Sequence, residues 1–201
     1  TRLGKARCDV VHDTLQTAIA RDVTLCLGVE TTPTADADGI RLVWTGDMQG
    51  EQVFSHVLVA VGRPPNLKGL DLDASGLDLD DHGTPKFDRT TMQCGSAPVF
   101  MAGDANADAT LLHEASTEGA IAGTNAATFP DVTPGERSPT FALTFTDPPL
   151  ASVGTGPGDG VICGRSDYSD QGRARAEARA EGVVTLYADA QGRLSGADLC
   201  C

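Results

Sequence analysis

Residues 98–127 read PVFMAGDANADATLLHEASTEGAIAGTNAA and decide the fold of this chain. The apolar residues 99–102 predict a short buried strand, and Gly103 lets the backbone leave that strand in a tight turn. Asp104 then stands at the carboxyl end of the strand, which is the edge of an open α/β sheet where ligands bind. A carboxylate fixed there suits a ligand with hydroxyl groups, such as a ribose or a ribityl chain.

A helix is predicted to follow the turn, because small and apolar residues recur at helical spacing. We expect these residues to share one close-packing face: Leu112, Ala115, Gly119, Ala120, Ala122 and Gly123. The start of the helix, at residues 111–113, offers unpaired N–H groups and a positive dipole end to an electron-rich atom.

The composition is that of an acidic globular protein. Its 201 residues allow one or two domains, and 28 acidic against 15 basic side chains give a formal net charge of −13. This charge argues against nucleic acid as a partner, since phosphate binding depends on Lys and Arg. No apolar run is long enough to span a membrane. Dense surface carboxylates suit a protein that works in high salt, and compositional drift explains them equally well.

The six cysteines and four histidines show no spacing that indicates chemistry. Neither a C-x-x-C nor a C-x-x-x-x-C pair occurs, and the histidines are dispersed, so we expect no metal site. Scattered cysteines fit a reducing compartment, and the cytoplasm is the predicted location.

The first part of the chain predicts one helix and several strands. The helix covers residues 9–20, where apolar side chains recur at helical spacing. Two apolar runs, 23–29 and 57–61, predict buried strands. An antiparallel pair is predicted at 40–44 and 51–56, preceded by a loop at 32–39.

The last part of the chain has a different pattern. Residues 128–138 contain two prolines and a glycine and predict a linker. Beyond it we predict two strands, at 140–146 and 150–154, and a flexible loop at 154–160. A surface turn or short helix is predicted at 170–181, followed by a hairpin of strands 183–188 and 194–199.

Several segments carry a family resemblance. VFMAGDA (99–105), followed by LLHEASTEGAIAGTNA (111–126), resembles the second flavin-binding signature of the pyridine nucleotide-disulfide oxidoreductases. The similarity extends to VLVAVGRPPN (57–66), FTDPPLASVG (145–154) and DQGRARAEARAEGVVTLYAD (170–189), in family order. The segments are most similar to those of the dihydrolipoamide dehydrogenases, and by this comparison the chain is a C-terminal portion, incomplete at both ends.

The resemblance implies a combined α/β and α+β fold, in which partial FAD/NAD(P)-binding three-layer ββα domains precede an antiparallel-sheet dimerisation domain. By the same comparison residues 1–66 are the rear half of the nicotinamide-dinucleotide domain, and 67–128 the second segment of the FAD domain. Residues 129–138 are then the linker, and 139–201 a truncated dimerisation domain.

The resemblance also implies cofactor-binding residues. Gly103, Asp104 and the helix start at Leu111 and Leu112 are expected on the flavin side. The residues that precede the double proline, Ala60, Val61, Gly62 and Arg63, are expected to flank the nicotinamide cofactor. A domain-joining hinge that needs Gly and Pro only for its geometry is the alternative at that position.

Family members pass a hydride from a nicotinamide to a flavin and then electrons to a disulfide, or the reverse. They do so with two G-x-G-x-x-G turns, a C-x-x-x-x-C pair and a His-Glu couple in the C-terminal domain, none of which occurs in this sequence. His113 does not replace that histidine, because it belongs to the flavin-side helix. The resemblance therefore implies a fragment of an FAD-dependent, NAD-linked dithiol oxidoreductase. We expect the fragment to have no catalytic residue, no activity of its own and no retained cofactor.

For the parent enzyme the resemblance implies FAD and NAD(P) as cofactors, a lipoyl-type dithiol as substrate and a homodimer formed through the C-terminal domain. The two alternatives are a non-catalytic dimerisation or binding module and a relative of the flavin-dependent NADH oxidases.

Overall fold

The computed structural model describes residues 2–201, which form two compact units. One unit contains the chain up to Ala60 together with Pro139–Cys201, and the other contains Val61–Ser138. The helices are α1 (Asp9–Ile19), α2 (Leu112–Thr128) and the short α3 (Gly172–Ala176). The strands are β1 (Val29–Asp36), β2 (Gly39–Gly46), β3 (Gly50–Phe54), β4 (Phe141–Thr144), β5 (Leu150–Gly154), β6 (Ile162–Asp167), β7 (Val183–Ala188) and β8 (Leu194–Cys200).

The first unit is built on a five-stranded antiparallel sheet with the order β4-β5-β8-β7-β6. The two strands and the hairpin predicted beyond residue 138 are confirmed as β4, β5, β7 and β8, and residues 155–160 form the predicted loop. The edge strand β6 was not predicted. All six of its residues are exposed, so its sequence lacks the alternation of apolar and polar residues that marks a half-buried strand.

Helix α1 covers one face of this sheet. Val11 and Leu15 are completely buried, in a core cluster with Leu150, Val183 and Cys200. The helical spacing of apolar residues produces this contact, because it places them on the side that faces β7 and β8. The helix predicted at residues 9–20 is confirmed.

The opposite face of the sheet is apolar and partly exposed. Directly paired residues of an antiparallel sheet lie on the same face, and the register places these residues together: Phe141, Leu143, Val153, Leu199, Val184, Leu186, Ala188, Ile162 and Leu194. Leu194 is 73% exposed and Ile162 is 54% exposed. We call this surface the outer face.

A three-stranded antiparallel sheet, β1-β2-β3, completes the first unit. The pair predicted at 40–44 and 51–56 is confirmed as β2 and β3. The loop predicted at 32–39 is wrong, because β1 continues to Asp36 and pairs with β2 along its whole length. Pro33 lies in β1, which tolerates it because β1 is an edge strand.

Two predicted buried strands are wrong. Within residues 2–201, the runs 23–29 and 57–61 join no sheet, apart from Val29, which begins β1. Leu58 is 91% exposed and Val61 is 94% exposed. Continuous apolar runs of this kind are typical of strands in a parallel sheet whose two faces are both buried. Such strands depend on neighbours, and the described residues supply none at these positions.

The second unit contains α2 and a series of short turns. The strand predicted at 99–102 is reduced to one bridge between Gln93 and Phe100, and Val99 is 40% exposed. The predicted helix is confirmed as α2, which packs on Met92 through Ile121 and Ala122.

The predicted close-packing face of α2 is right only for Ala122, which is buried, and Ala115, which is half-buried against Gly103; it is wrong for the other four residues. Leu112 is 86% exposed, and Gly119, Ala120 and Gly123 are also exposed. The buried residues of the helix are instead Glu114, Glu118, Ile121, Ala122 and Asn125. The buried face therefore includes two carboxylates and an amide, which find partners inside the unit. Across residues 2–201, no helix is long and apolar enough to cross a membrane.

Candidate functional site

The turn that carries Asp104 is held directly on α2. Gly103–Asn106 form a turn of 3₁₀-helix, and Gly103 has a φ of +68°. A Cβ atom at Gly103 would lie 3.1 Å from the Cβ of Ala115, so glycine is favoured both by the backbone and by the close approach to the helix. The Asp104 side chain is 58% exposed and extends from this fixed turn.

The first turn of α2 lies beside it and has no side-chain cap. Leu111 occupies the position before the helix in an extended conformation, and a leucine side chain has no oxygen with which to accept a bond from the first N–H groups. A helix of 17 residues concentrates positive partial charge at this end. The highly exposed Leu112 stands at the same place. The helix start therefore presents donors and an apolar side chain to an external group.

Arg63 reaches the same site from the segment after the first unit. Its Nη1 lies 3.8 Å from Oδ2 of Asp104, and its Nη2 donates to the carbonyl of Thr110 at 3.4 Å. Both side chains of the ion pair are more than half exposed, so the pair contributes little to stability. Arg63 is therefore free to exchange Asp104 for another acceptor at little cost.

The eight residues predicted to bind cofactors are thus divided. Gly103, Asp104, Leu111 and Leu112 come together with Arg63 in the second unit, as described above. Val61 and Gly62 lie in the irregular segment at the start of that unit, and Ala60 is the last residue of the first unit before it.

A buried network behind the turn was missed by the sequence analysis. Glu118 is completely buried, and its Oε2 accepts hydrogen bonds of 2.7 Å from both the Gly103 N–H and the Asn106 side-chain amide. Its Oε1 accepts a bond of 2.9 Å from Nη2 of Arg137. The sequence does contain a signal for this network: Glu114 and Glu118 are four residues apart and Ile121 follows three residues later, a spacing that puts all three on one helix face.

Arg137 links three carboxylates of the second unit. Besides Glu118, it contacts Oε2 of Glu114 at 2.7 Å and Oδ2 of Asp108 at 3.5 Å. The hydrogen bond to Glu114, reinforced by the charges of the three carboxylates, raises the pKa of Arg137. Arg137 is 18% exposed and comes from the segment predicted as a linker, which packs back on α2.

The cysteines and histidines do not assemble into a site. All six cysteines carry free thiols. Among residues 2–201, no three side chains of His, Cys, Asp or Glu are grouped so that they could hold a metal ion.

Curated relatives of this chain are named dihydrolipoyl dehydrogenase. The chain is 31% identical over 204 residues to that of Halobacterium salinarum, which covers 95% of the chain and 42% of the relative. It is 31% identical over 157 residues to that of Thermus scotoductus, which covers 73% of the chain and 32% of the relative. The chain thus spans less than half the length of these relatives. No protein-family model matches it.

Solved structures show the same fold. The HOCl-induced flavoprotein disulfide reductase RclA from Escherichia coli, as the Cu(II) complex of a mutant form, matches with a TM-score of 0.80 at 18% identity, over 97% of this chain and 46% of that one. LpdA from Mycobacterium tuberculosis matches with a TM-score of 0.78 at 23% identity, over 96% of this chain and 43% of that one.

The fold is therefore that of part of a flavoprotein disulfide reductase, and the predicted fold class is confirmed. The chain belongs to the pyridine nucleotide-disulfide oxidoreductase family and resembles the dihydrolipoyl dehydrogenases within it, which confirms the resemblance drawn from the sequence.

Proposed function

We propose that the chain is part of an FAD-dependent, NAD-linked dithiol–disulfide oxidoreductase of the dihydrolipoyl dehydrogenase type. The proposal is carried by one observation: an exposed carboxylate, Asp104, extends from a turn fixed against the uncapped start of α2. The curated relatives support it through their names and through alignments that cover most of this chain.

The residues at this site fit one wall of a flavin site. Asp104 would accept hydrogen bonds from ribityl or ribose hydroxyls, and its exposure leaves it accessible to them. The N–H groups at the start of α2 would stabilise negative charge on the flavin pyrimidine. When bound, the flavin supplies the redox chemistry, accepting a hydride and passing the electron pair to a disulfide. The chain's own residues bind and orient the cofactor.

The nicotinamide side is proposed for Ala60, Val61, Gly62 and Arg63. The contact between Arg63 and Asp104 supports a position for Arg63 close to the flavin side as well. A guanidinium there would attract the phosphates of NAD(P). We retain FAD and NAD(P) as cofactors of the parent enzyme, and a lipoyl-type dithiol as its substrate by similarity to the relatives.

The domain assignment is proposed as residues 1–66, 67–128, 129–138 and 139–201, in the order nicotinamide domain, FAD segment, linker and dimerisation domain. The end of the second compact unit at Ser138 supports the last boundary. Helix α1, which falls in the proposed nicotinamide domain, packs on β7 and β8 of the proposed dimerisation domain.

We propose a homodimer formed through residues 139–201. The partly exposed outer face supports this, because an apolar sheet face of this extent needs a covering layer of protein. Sedimentation of the full-length protein should give the mass of two subunits, and a monomer would contradict the proposal.

A reducing cytoplasm is the proposed location, in keeping with the six free thiols.

Replacing Asp104 by alanine in the full-length flavoprotein tests the flavin site. Since a hydrogen bond to a charged group is lost, the Kd for FAD should rise about 10- to 100-fold. The measurement is flavin released on dialysis, followed by its absorbance. Asp131→Ala is the matched control, because Asp131 is an exposed carboxylate after the end of α2. Unchanged retention in Asp104→Ala would remove Asp104 from the site.

The same measurement on the 201-residue chain alone should find little or no bound FAD and no dehydrogenase activity. The sequence contains neither a G-x-G-x-x-G turn nor a C-x-x-x-x-C pair to supply the phosphate cradle and the electron acceptor. A yellow preparation with stoichiometric FAD would contradict this.

The reading frame before Thr1 distinguishes the two alternative functions. A glycine turn without a cysteine pair there would favour a flavin-dependent NADH oxidase, and the absence of both motifs would favour a binding module.

A further inference from the structure

Glu118 is buried in a way that needs an explanation. A carboxylate removed from water costs several kcal/mol unless it is paired and hydrogen-bonded. Here the side chain is completely buried, and three donors satisfy it: the Gly103 N–H, the Asn106 amide and the Arg137 guanidinium. Two of the three belong to the turn Gly103–Asn106, which contains Asp104.

The geometry of these bonds fixes the turn from behind. Both bonds to the turn end on the same oxygen, Oε2, each at 2.7 Å, so they hold the first and last residues of Gly103–Asn106 at one point. Gly103 directly precedes Asp104. The hydrogen bond from the Gly103 N–H to Glu118 therefore restricts the backbone that carries the Asp104 carboxylate. The side chain of Asp104 is itself exposed, and its pair with Arg63 is weak.

Arg137 neutralises the charge of Glu118 and connects it to the first turn of α2. It holds the second oxygen of Glu118 and, through Glu114, the first turn of α2. Without this cation, Glu114 and Glu118 would lose their guanidinium and repel each other, whereas Asp108 would keep its pair with Nη2 of Arg89 at 2.9 Å.

We propose that Glu118, paired with Arg137, is a positioning residue for the flavin. It holds the Gly103–Asn106 turn so that Asp104 meets the hydroxyls of the ligand, without touching the ligand itself. This inference rests on the proposed function, since it assumes that Asp104 binds FAD. Part of the affinity for FAD then depends on Glu118, although its side chain is completely buried.

The test compares four variants of the full-length flavoprotein: Glu118→Leu, Glu118→Gln, Asn106→Ala and Asp104→Ala. Glu118→Leu removes the acceptor, so the Kd for FAD should rise about tenfold or more. Glu118→Gln retains an oxygen for both turn donors, and its Kd should stay within about threefold of the original. If Glu118→Leu does not fold, Asn106→Ala replaces it, with an expected rise in Kd of about threefold or more.

A second readout separates positioning from general stability. In the FAD-free protein, amide hydrogen exchange at Gly103 should be about tenfold faster in Glu118→Leu and nearly unchanged in Glu118→Gln. Glu136→Ala is the control, because Glu136 is the sequence neighbour of Arg137 and its side chain is exposed. A purely structural residue would lower the melting temperature without changing the Kd measured far below it.

The outcomes are distinguishable. Weak FAD binding in Asp104→Ala together with normal binding in Glu118→Leu and Asn106→Ala would overturn the inference and leave the proposed function standing. Normal binding in Asp104→Ala would overturn the proposed flavin site, and the inference with it. Equal losses in Glu118→Gln and Glu118→Leu would show that the charge, and not the acceptor geometry, is what matters, and would overturn positioning of the turn.

Discussion

Replacing Arg7 by leucine is expected to lower the free energy of unfolding of the sheet unit by about 3–5 kcal/mol, because it leaves a buried carboxylate without its counter-charge. Asp198 is 1% exposed, and Nε of Arg7 donates to its Oδ1 at 2.8 Å. The same guanidinium donates to the carbonyls of Ala197 at 3.0 Å and Gly154 at 2.5 Å. Urea unfolding of the 201-residue chain, followed by circular dichroism, measures the change.

The other oxygen of Asp198 explains why the loss cannot be repaired locally. Oδ2 already accepts a bond of 2.7 Å from the hydroxyl of Tyr187, which is completely buried. Burial, reinforced by hydrogen bonds with Cys8 and Asp198, raises the pKa of Tyr187, so its hydroxyl stays protonated and can only share the proton it already donates. No second cation is hydrogen-bonded to Asp198 among the contacts of residues 2–201.

Two further variants tie the loss to Asp198. Arg2→Leu removes another N-terminal arginine whose pair with Asp9 is exposed, and it should cost no more than about 1 kcal/mol. Adding Asp198→Asn to Arg7→Leu should recover part of the loss, since it removes the unpaired charge. Equal small effects of Arg7→Leu and Arg2→Leu would show that Asp198 is not the buried charge that the contacts indicate.

Elements whose stability comes from their own periodicity were predicted from the sequence. Helix α1 has apolar residues on one face, and the hairpin of β7 and β8 alternates around a turn at residues 189–192, so each specifies its partner surface locally. The extent of α2 was also predictable, because Leu111 follows a turn and the helical spacing continues almost to Thr128.

Elements that depend on distant partners were not. The runs 23–29 and 57–61 have the composition of central strands, but a strand exists only where another backbone completes its hydrogen bonds. Strand β1 is the opposite case: its residues Thr32, Pro33 and Ala35–Asp36 are typical of a loop, and pairing with β2 overrides that preference. In both cases, hydrogen bonding to a neighbouring strand mattered more than the local preference of the sequence.

The candidate site divides in the same way. Asp104 and the start of α2 were predicted because a Gly-Asp turn followed by a helix is a local pattern. The network behind them was not, since Glu118 receives its donors from 12 to 19 residues away, at Asn106, Gly103 and Arg137. Small residues on α2 suggested the packing face, whereas charge pairing with Arg137 allowed a polar face to be buried instead.

Replacing Leu15 by alanine is expected to cost about 2–5 kcal/mol of unfolding free energy, since it opens a cavity in a well-packed core. Leu15 is completely buried, and it belongs to the cluster that joins α1 to Leu150, Val183 and Cys200 of the sheet. The fit is close on the N-terminal side too, because a Cβ at Gly4 would lie 3.4 Å from Cδ2 of Leu15. The cavity has little chance to collapse, so the upper half of the range is expected.

Leu58→Ala is the matched control for Leu15→Ala, because it removes the same atoms from a leucine of the first unit that is 91% exposed and lies outside the outer face. It should change stability by less than about 0.5 kcal/mol. Urea midpoints of the two variants decide whether α1 belongs to the folding unit of the five-stranded sheet. Equal midpoints would mean that α1 is not docked in solution. A large difference would mean that α1, through the burial of Leu15, is a structural layer of that sheet.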